Sequence, residues 1–199
     1  MAARPSRADS TRSRSSASTG AGRPVSVWRE NIESFVWAVA VALAIRTFIV
    51  APFKIPSGSM HPTLIEGDRI LVNKFIYRFH PPQRGDIIVF RYPEDPKRSF
   101  IKRLAAVGGD HVEIRNGQIL LNGKPADGTG IFRSNHYYNQ GPYGQEGQVT
   151  DVPTGAFYAL GYNSASSHDS RFWGFVPKRF VVGRAICIFW PITRWRVLR

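Results

Sequence analysis

Apolar positions along this chain fall mostly in short runs of four to six residues, and one longer stretch breaks that rhythm. Ser34 to Ile45 (SFVWAVAVALAI) carries no charge, and after Arg46 the apolar run resumes from Thr47 to Phe53, interrupted by Pro52. Crossing a bilayer takes about 20 helical residues at about 1.5 Å each, so the pattern predicts a membrane anchor over residues 31–53. Arg46 lies near one end, where a long side chain reaches the headgroups. Trp37 suits an interface position near the other end. Two alternatives are a buried helix of a soluble domain, which would show a polar stripe, and a secretory signal peptide. The latter would sit nearer the N-terminus, ahead of a cleavage signature.

Residues 1–24, the bulk of a basic tail over 1–30, set Arg4, Arg7, Arg12, Arg14 and Arg23 against Asp9, and almost nothing in them could enter a core. The expectation is a disordered cytoplasmic arm. An Arg- and Ser-rich, acid-poor start also fits an organelle transit peptide. Arginines that precede an anchor stay inside, which puts residues 54–199 on the far side.

That remainder reads as mostly β. Arg69–Val72, Asp86–Phe90 and Ala185–Phe189 are short runs rich in β-branched residues. His111–Arg115 alternates strictly, Asn116-Gly117 is a preferred two-residue hairpin turn, and Gln118–Leu121 returns. From Asn122 to Val152 the composition turns to Gly, Asn, Gln and Tyr without clear period, which predicts a surface loop or ribbon insertion.

Charge adds a partner class. The 199 residues hold 27 Lys and Arg against 14 Asp and Glu, a net charge of +13. Such an excess points to nucleic acid or a membrane surface. A single Cys excludes an internal disulfide framework and any Cys-rich zinc module. The five His are isolated, no HExxH or G-x-S-x-G occurs, and His168 and Asp169 are sequence neighbours, a poor arrangement for one to orient the other.

Candidate chemistry remains in Ile55-Pro-Ser-Gly-Ser-Met-His-Pro-Thr-Leu64. Two prolines stiffen the segment, Gly58 permits close backbone approach, and Ser57 and Ser59 flank it. The plain alternative is a Ser-Gly-Ser linker. A serine nucleophile needs a base, and a lysine serves once burial lowers its pKa from about 10.4 toward neutrality. Lys102 lies in the strand-like run Phe100-Ile-Lys-Arg-Leu-Ala-Ala-Val107, with Arg103 expected on the opposite face.

The segments Pro56-Ser-Gly-Ser-Met-His-Pro-Thr-Leu64, Gly67-Asp68, Gly85-Asp86-Ile87, Phe100-Ile-Lys-Arg103, Gly109-Asp110 and Asp169-Ser-Arg-Phe-Trp-Gly-Phe-Val-Pro177 resemble, in order, the boxes of bacterial type I signal peptidases. The resemblance implies an antiparallel β-sheet catalytic domain behind a single transmembrane helix, without metal or cofactor. It implies Ser59 as nucleophile and Lys102 as general base. Ser57, with the backbone N–H of Ser59, would form the oxyanion hole. Ser167 would hydrogen-bond and orient the lysine, and Asp169 and Arg171 would buttress the site. The implied substrates are signal peptides of exported preproteins, with an Ala-x-Ala-like preference. The expected setting is the cell inner membrane, or an organelle membrane if the tail is a targeting peptide, with the oligomeric state left open and a monomer favoured.

One box departs from the family. Where Gly-Asp-Asn-Arg is usual, this chain reads Gly161-Tyr162-Asn163-Ser164. The departure removes a carboxylate and a guanidinium from the surroundings that the resemblance implies for Asp169 and Arg171, and leaves the implied dyad untouched. Two rivals are a self-cleaving Ser-Lys repressor, which would carry a DNA-binding domain and no anchor, and a basic membrane-tethered β module without catalysis. Residues 1–33 carry a net charge of +3 and the rest +10. On this reading anionic headgroups account for the excess without nucleic acid.

Overall fold

The computed structural model describes residues 27–44, 46, 49–126 and 132–198. The expected tail lies almost wholly outside them. The chain divides into two units between Ala40 and Val41. Helix α1 (Val27–Ala44) has 18 residues. Among those described, its large apolar side chains, such as Phe35, Trp37 and Leu43, are exposed.

Two observations bear on the expected anchor over 31–53. Helix α1 ends at Ala44, and Val50–Lys54 form a strand, β1, at the edge of a sheet. No helix among the described residues is long and apolar enough to cross a membrane. Arg29, Glu30 and Glu33 occupy the first two turns of α1, which leaves its uncharged part well short of the roughly 20 residues a span needs. Pro52 fits β1 because an edge strand leaves one side of its backbone unpaired.

The β unit continues with β2 (Arg69–Asn73), β3 (Ile87–Arg91), β4 (Ser99–Val107), β5 (His111–Arg115), β6 (Gln118–Leu121), β7 (Lys124–Pro125), β8 (Val149–Asp151) and β9 (Ala156–Leu160). A one-turn helix α2 (Ser170–Trp173), β10 (Val176–Pro177), β11 (Val181–Trp190) and β12 (Arg196–Val197) complete it. The larger sheet runs β1-β2-β11-β3-β4-β9-β10, with β12 paired to β11, and the smaller runs β7-β6-β5-β8. All pairings are antiparallel.

Strand β3 shows why the large sheet has two covered faces. Alternate residues of a strand point to opposite sides. Ile87 and Val89 enter one cluster with Met60, Leu64, Ile70 and Ile188. Ile88 and Phe90 enter another with Leu104, Phe157 and Trp173. A third cluster joins Val112, Ile114 and Ile119 of the small sheet to Ala106, Tyr158 and Leu160 of the large one.

The predicted hairpin forms as β5 and β6, in register Val112 to Leu121. Asn116 and Gly117 turn it with φ of +51° and +75°, the doubly left-handed geometry that matches strand twist. The stretch from Asn122 to Val152 differs from its prediction. It contributes β7 and β8, and Phe132, Tyr137 and Val152 are buried in the third cluster. Its few apolar residues are spaced irregularly because they pack through turns, so no period announces them.

Gly117 also joins that stretch to the hairpin: its carbonyl accepts the Tyr137 N–H at 2.9 Å, and a Cβ there would meet the His136 ring at 2.2 Å. Gly117→Ala is expected to lower stability by roughly 1–3 kcal/mol through strain and collision, measured as a shift of the urea midpoint at constant slope.

Candidate active site

The segment between β1 and β2 is a closed loop. At its neck the Ile55 N–H donates to the Asp68 carbonyl at 2.9 Å, and the Gly67 N–H to the Ile55 carbonyl at 3.0 Å. Gly67 has a φ of +87°, the left-handed turn that brings the chain back. Met60 and Leu64 are fully buried and plug the loop into the core. Ser59 sits in the middle of a single 3₁₀ turn, Gly58–Met60, and is itself buried. The segment is therefore an ordered loop and not a linker.

Strand β4 delivers the lysine. Lys102 stands directly beside Ile88 of β3 and is only 4 % exposed. Arg103 alternates to the other face as expected, yet it too is buried, and its Nη1 donates to the Gly85 carbonyl at 2.6 Å. The fold brings Lys102 Nζ to 2.6 Å from Ser59 Oγ across 43 positions of sequence. Burial lowers the Lys102 pKa from 10.5 to about 8; the nearby Asp169 charge raises it and the Arg171 charge lowers it. Phe100, whose ring centre lies 5.8 Å from Nζ and which stacks on Tyr92 at 4.5 Å, extends the dry wall.

Asp169 and Arg171 are both completely buried. Asp169 caps α2 by accepting the Arg171 N–H, and its two oxygens take Arg171 Nε and Nη2 at 2.8 and 2.9 Å. Arg171 spends its remaining donors on the Tyr138, Ser164 and Ser167 carbonyls and the Ser164 hydroxyl. A buried pair of this kind is tolerable only when its other lone pairs and protons are also bonded, and here they are. Asp169 further accepts the Gly161 N–H at 3.0 Å.

The departing box Gly161-Tyr162-Asn163-Ser164 turns out to be built into the site. Ser164 Oγ accepts from Arg171 Nη1 at 2.8 Å and from the Tyr138 N–H at 2.9 Å, so a neutral hydroxyl meets the guanidinium. Tyr162 Oη lies 3.0 Å from Ser134 Oγ. The Asn163 N–H donates to the Ser59 carbonyl at 2.9 Å, and its side-chain amide to the Gly58 carbonyl at 3.3 Å. Asp169 and Arg171 thus make their bonds without the charges that the box lacks. Asn163 escaped the residue reading because a lone Asn in a loop carries no chemical signature.

Ser167 is corrected. It is buried, but its hydroxyl has no hydrogen-bond partner among the described residues, so the expected bond to Lys102 is not formed. The side chain packs instead on Gly161, where a Cβ would lie 2.0 Å from Ser167 Oγ and 2.7 Å from the Ser59 carbonyl oxygen. Gly161 therefore has a steric reason to lack a side chain.

Ser57 is exposed and lines an open cleft of about 820 Å³ together with Ser59, Phe100, Lys102, Asn163 and His168. A smaller pocket of about 30 Å³ lies between Ile55, Ile70, Val89 and Ile101. The arrangement offers a buried hydroxyl, an amine poised to hold or release a proton, and an adjoining trough for an extended peptide.

Asp169→Ala would leave the Arg171 charge buried and its bonds from Nε and Nη2 to the carboxylate unmade. The expected cost is about 3–5 kcal/mol, visible as a large fall in melting temperature.

Comparison with known proteins agrees with this geometry. The family described as "Signal peptidase, peptidase S26" matches residues 28–190. "Signal peptidase I" of Leptolyngbya laminosa is 41 % identical over 172 residues, covering 83 % of this chain and 81 % of that protein. "Probable signal peptidase I-1" of Synechocystis sp. is 40 % identical over 174 residues, covering 84 % and 85 %. "Thylakoidal processing peptidase 1, chloroplastic" of Arabidopsis thaliana is 34 % identical over 94 % of this chain and 55 % of that protein. With a match across most of its length and a hydroxyl and an amine joined in a cleft, this chain belongs to the signal peptidase family, S26, and is a peptidase.

Proposed function

We propose that the chain is a membrane-associated serine endopeptidase that removes signal peptides from exported preproteins with a Ser59–Lys102 dyad. The observation that carries this reading is the 2.6 Å separation of Lys102 Nζ and Ser59 Oγ with the amine held near a pKa of 8. Neutral Lys102 accepts the Ser59 proton as Oγ attacks the scissile carbonyl carbon. The resulting ammonium gives that proton to the leaving amine, which frees the mature chain and leaves an acyl ester on Ser59. Water, deprotonated by Lys102, then hydrolyses the ester. Ser57 Oγ and the Ser59 N–H stabilise the oxyanion. Asp169 and Arg171 hold the wall behind Lys102, and Ser167 fills the space over Gly161.

The small apolar pocket beside the cleft, lined by Ile55, Ile70, Val89 and Ile101, favours a small apolar side chain such as Ala near the cut. A metal or cofactor has no role in this scheme.

Membrane association belongs to the same proposal. A signal peptide's apolar segment is embedded in lipid, and holding enzyme and substrate at one surface raises their effective concentration. Supporting observations are the exposed apolar side chains of α1, the net charge of +13 and Trp190, Ile192 and Trp195, exposed beside β12. Basic side chains near anionic headgroups contribute about 1 kcal/mol each. The setting proposed is a bacterial inner membrane, with an organelle membrane as the alternative and no nucleic acid.

The test uses the full chain in detergent micelles with a preprotein substrate. Ser59→Ala and Lys102→Ala are expected to abolish cleavage, and undiminished cleavage by either overturns the dyad. Ser57→Ala is expected to slow kcat roughly a hundred- to a thousandfold, about 3–4 kcal/mol, the worth of one oxyanion donor.

The base acts only when neutral, so the rate should rise with pH through about 8 and level above it. A rate still climbing past pH 10, where free lysine titrates, would exclude a desolvated base.

A further inference from the structure

We infer that the segment Pro191–Leu198, through Arg194 above all, is a strap that positions Ser59 by pinning the far side of the nucleophile loop. The inference rests on the reading of Ser59 as the nucleophile.

The loop from Ile55 to Asp68 touches the rest of the fold in few places. Inside, Met60 and Leu64 plug the core. Beneath Ser59, Asn163 holds the Ser59 and Gly58 carbonyls. The remaining side is held by residues that arrive more than a hundred positions later. Asp68, with a side chain that is fully buried, accepts Arg194 Nε at 2.9 Å and Nη2 at 3.1 Å. The same carboxylate accepts the Ile65 N–H at 3.0 Å, so one group fixes both the return of the loop and its attachment to the strap. Arg196 Nη2 donates to the Thr63 carbonyl. Leu198, also buried, joins the cluster that contains Met60 and Leu64.

The strap is itself anchored. The Leu198 N–H donates to the Ile186 carbonyl at 2.7 Å, and β12 pairs Arg196 and Val197 with Ile188 and Cys187 of β11. Strand β11 is ten residues long and central to the large sheet, so the strap transmits the rigidity of that sheet to a loop whose own backbone bonds are few. A planar guanidinium bound by two parallel bonds fixes orientation as well as distance, which a single ammonium contact cannot do. The Gly67-Asp68 pair thereby acquires a purpose in the fold.

Positioning differs from substrate binding. Arg194 and Arg196 are not among the residues lining the cleft. Loosening the loop therefore misplaces Oγ relative to Nζ without removing a substrate contact, and small misplacements of reacting groups are costly in rate. Such a change lowers kcat and kcat/KM together.

The experiment compares the full-length wild type with Arg194→Ala, Arg194→Lys, Arg196→Ala and Ser59→Ala in micelles on one preprotein. Rates are normalised to the folded fraction by circular dichroism at the assay temperature. Arg194→Ala is expected to lower kcat about tenfold with KM within twofold of wild type, and Arg194→Lys to recover only part of that loss. Arg196→Ala, at an exposed position, should lower kcat two- to threefold without a change in melting temperature. A merely structural role would reduce the folded fraction and leave kcat per folded molecule intact. Wild-type kcat per folded molecule in Arg194→Ala, or a rise in KM alone, overturns the strap. Should Ser59→Ala cleave at the wild-type rate, the nucleophile reading fails instead.

Discussion

Keeping one amine dry beside one hydroxyl is the requirement on which this structure turns. A lysine in water is protonated at neutral pH and cannot take a proton. Strand β4 solves the problem by continuous burial: from Ile101 to Ala106 each residue is buried, so the lysine has little route to solvent except through the cleft. The neighbouring ion pair assists in an unobvious way. Asp169 favours the charged amine and Arg171 disfavours it. Because the two form a bidentate pair, their effects on Lys102 oppose each other, and desolvation is left to set the proton affinity.

The rest of the site is arranged so that Ser59 meets that amine. Three unrelated segments converge on the nucleophile loop: Asn163 beneath it, the Pro191–Leu198 strap at its far side, and the core around Met60 and Leu64 behind it. Gly161 matters because it has no side chain, leaving space for Ser167 and for the Ser59 carbonyl. The loop's own backbone bonds lie chiefly at its neck and in its single 3₁₀ turn. Its shape is therefore imposed by the surroundings, as suits the nucleophile proposed for Ser59, which must hold one geometry against a strand.

Legibility from sequence followed the physics of each element. The β5–β6 hairpin was readable because alternation and an Asn-Gly turn are local properties. Strands β2, β3 and the central part of β11 showed as β-branched runs. Strand β1 was read as the end of a membrane anchor, since an apolar edge strand and the end of an apolar helix look alike over five residues. The Asn122–Val152 stretch concealed buried Phe132 and Tyr137, because turns impose no period on the residues they bury. Ser59 and Lys102 were legible as a stiffened serine segment and a lysine amid apolar neighbours, and their pairing came from resemblance to a family. The contact proposed from that resemblance for Ser167 was not formed.

By itself, the sequence determined what depends on neighbours along the chain: the β character of residues 54–199, the hairpin, the stiffened serine segment, the apolar setting of the lysine and the positive charge. Only the tertiary structure decided what depends on distance in space. It set the depth at which Lys102 is buried, the saturation of Arg171 by carbonyls from two loops, and the contacts of Tyr162 with Ser134 and of Ser164 with Arg171. It also tied Asp68 to Arg194. Desolvation and hydrogen-bond geometry are properties of groups assembled from remote segments, and no local pattern records how closely those segments approach.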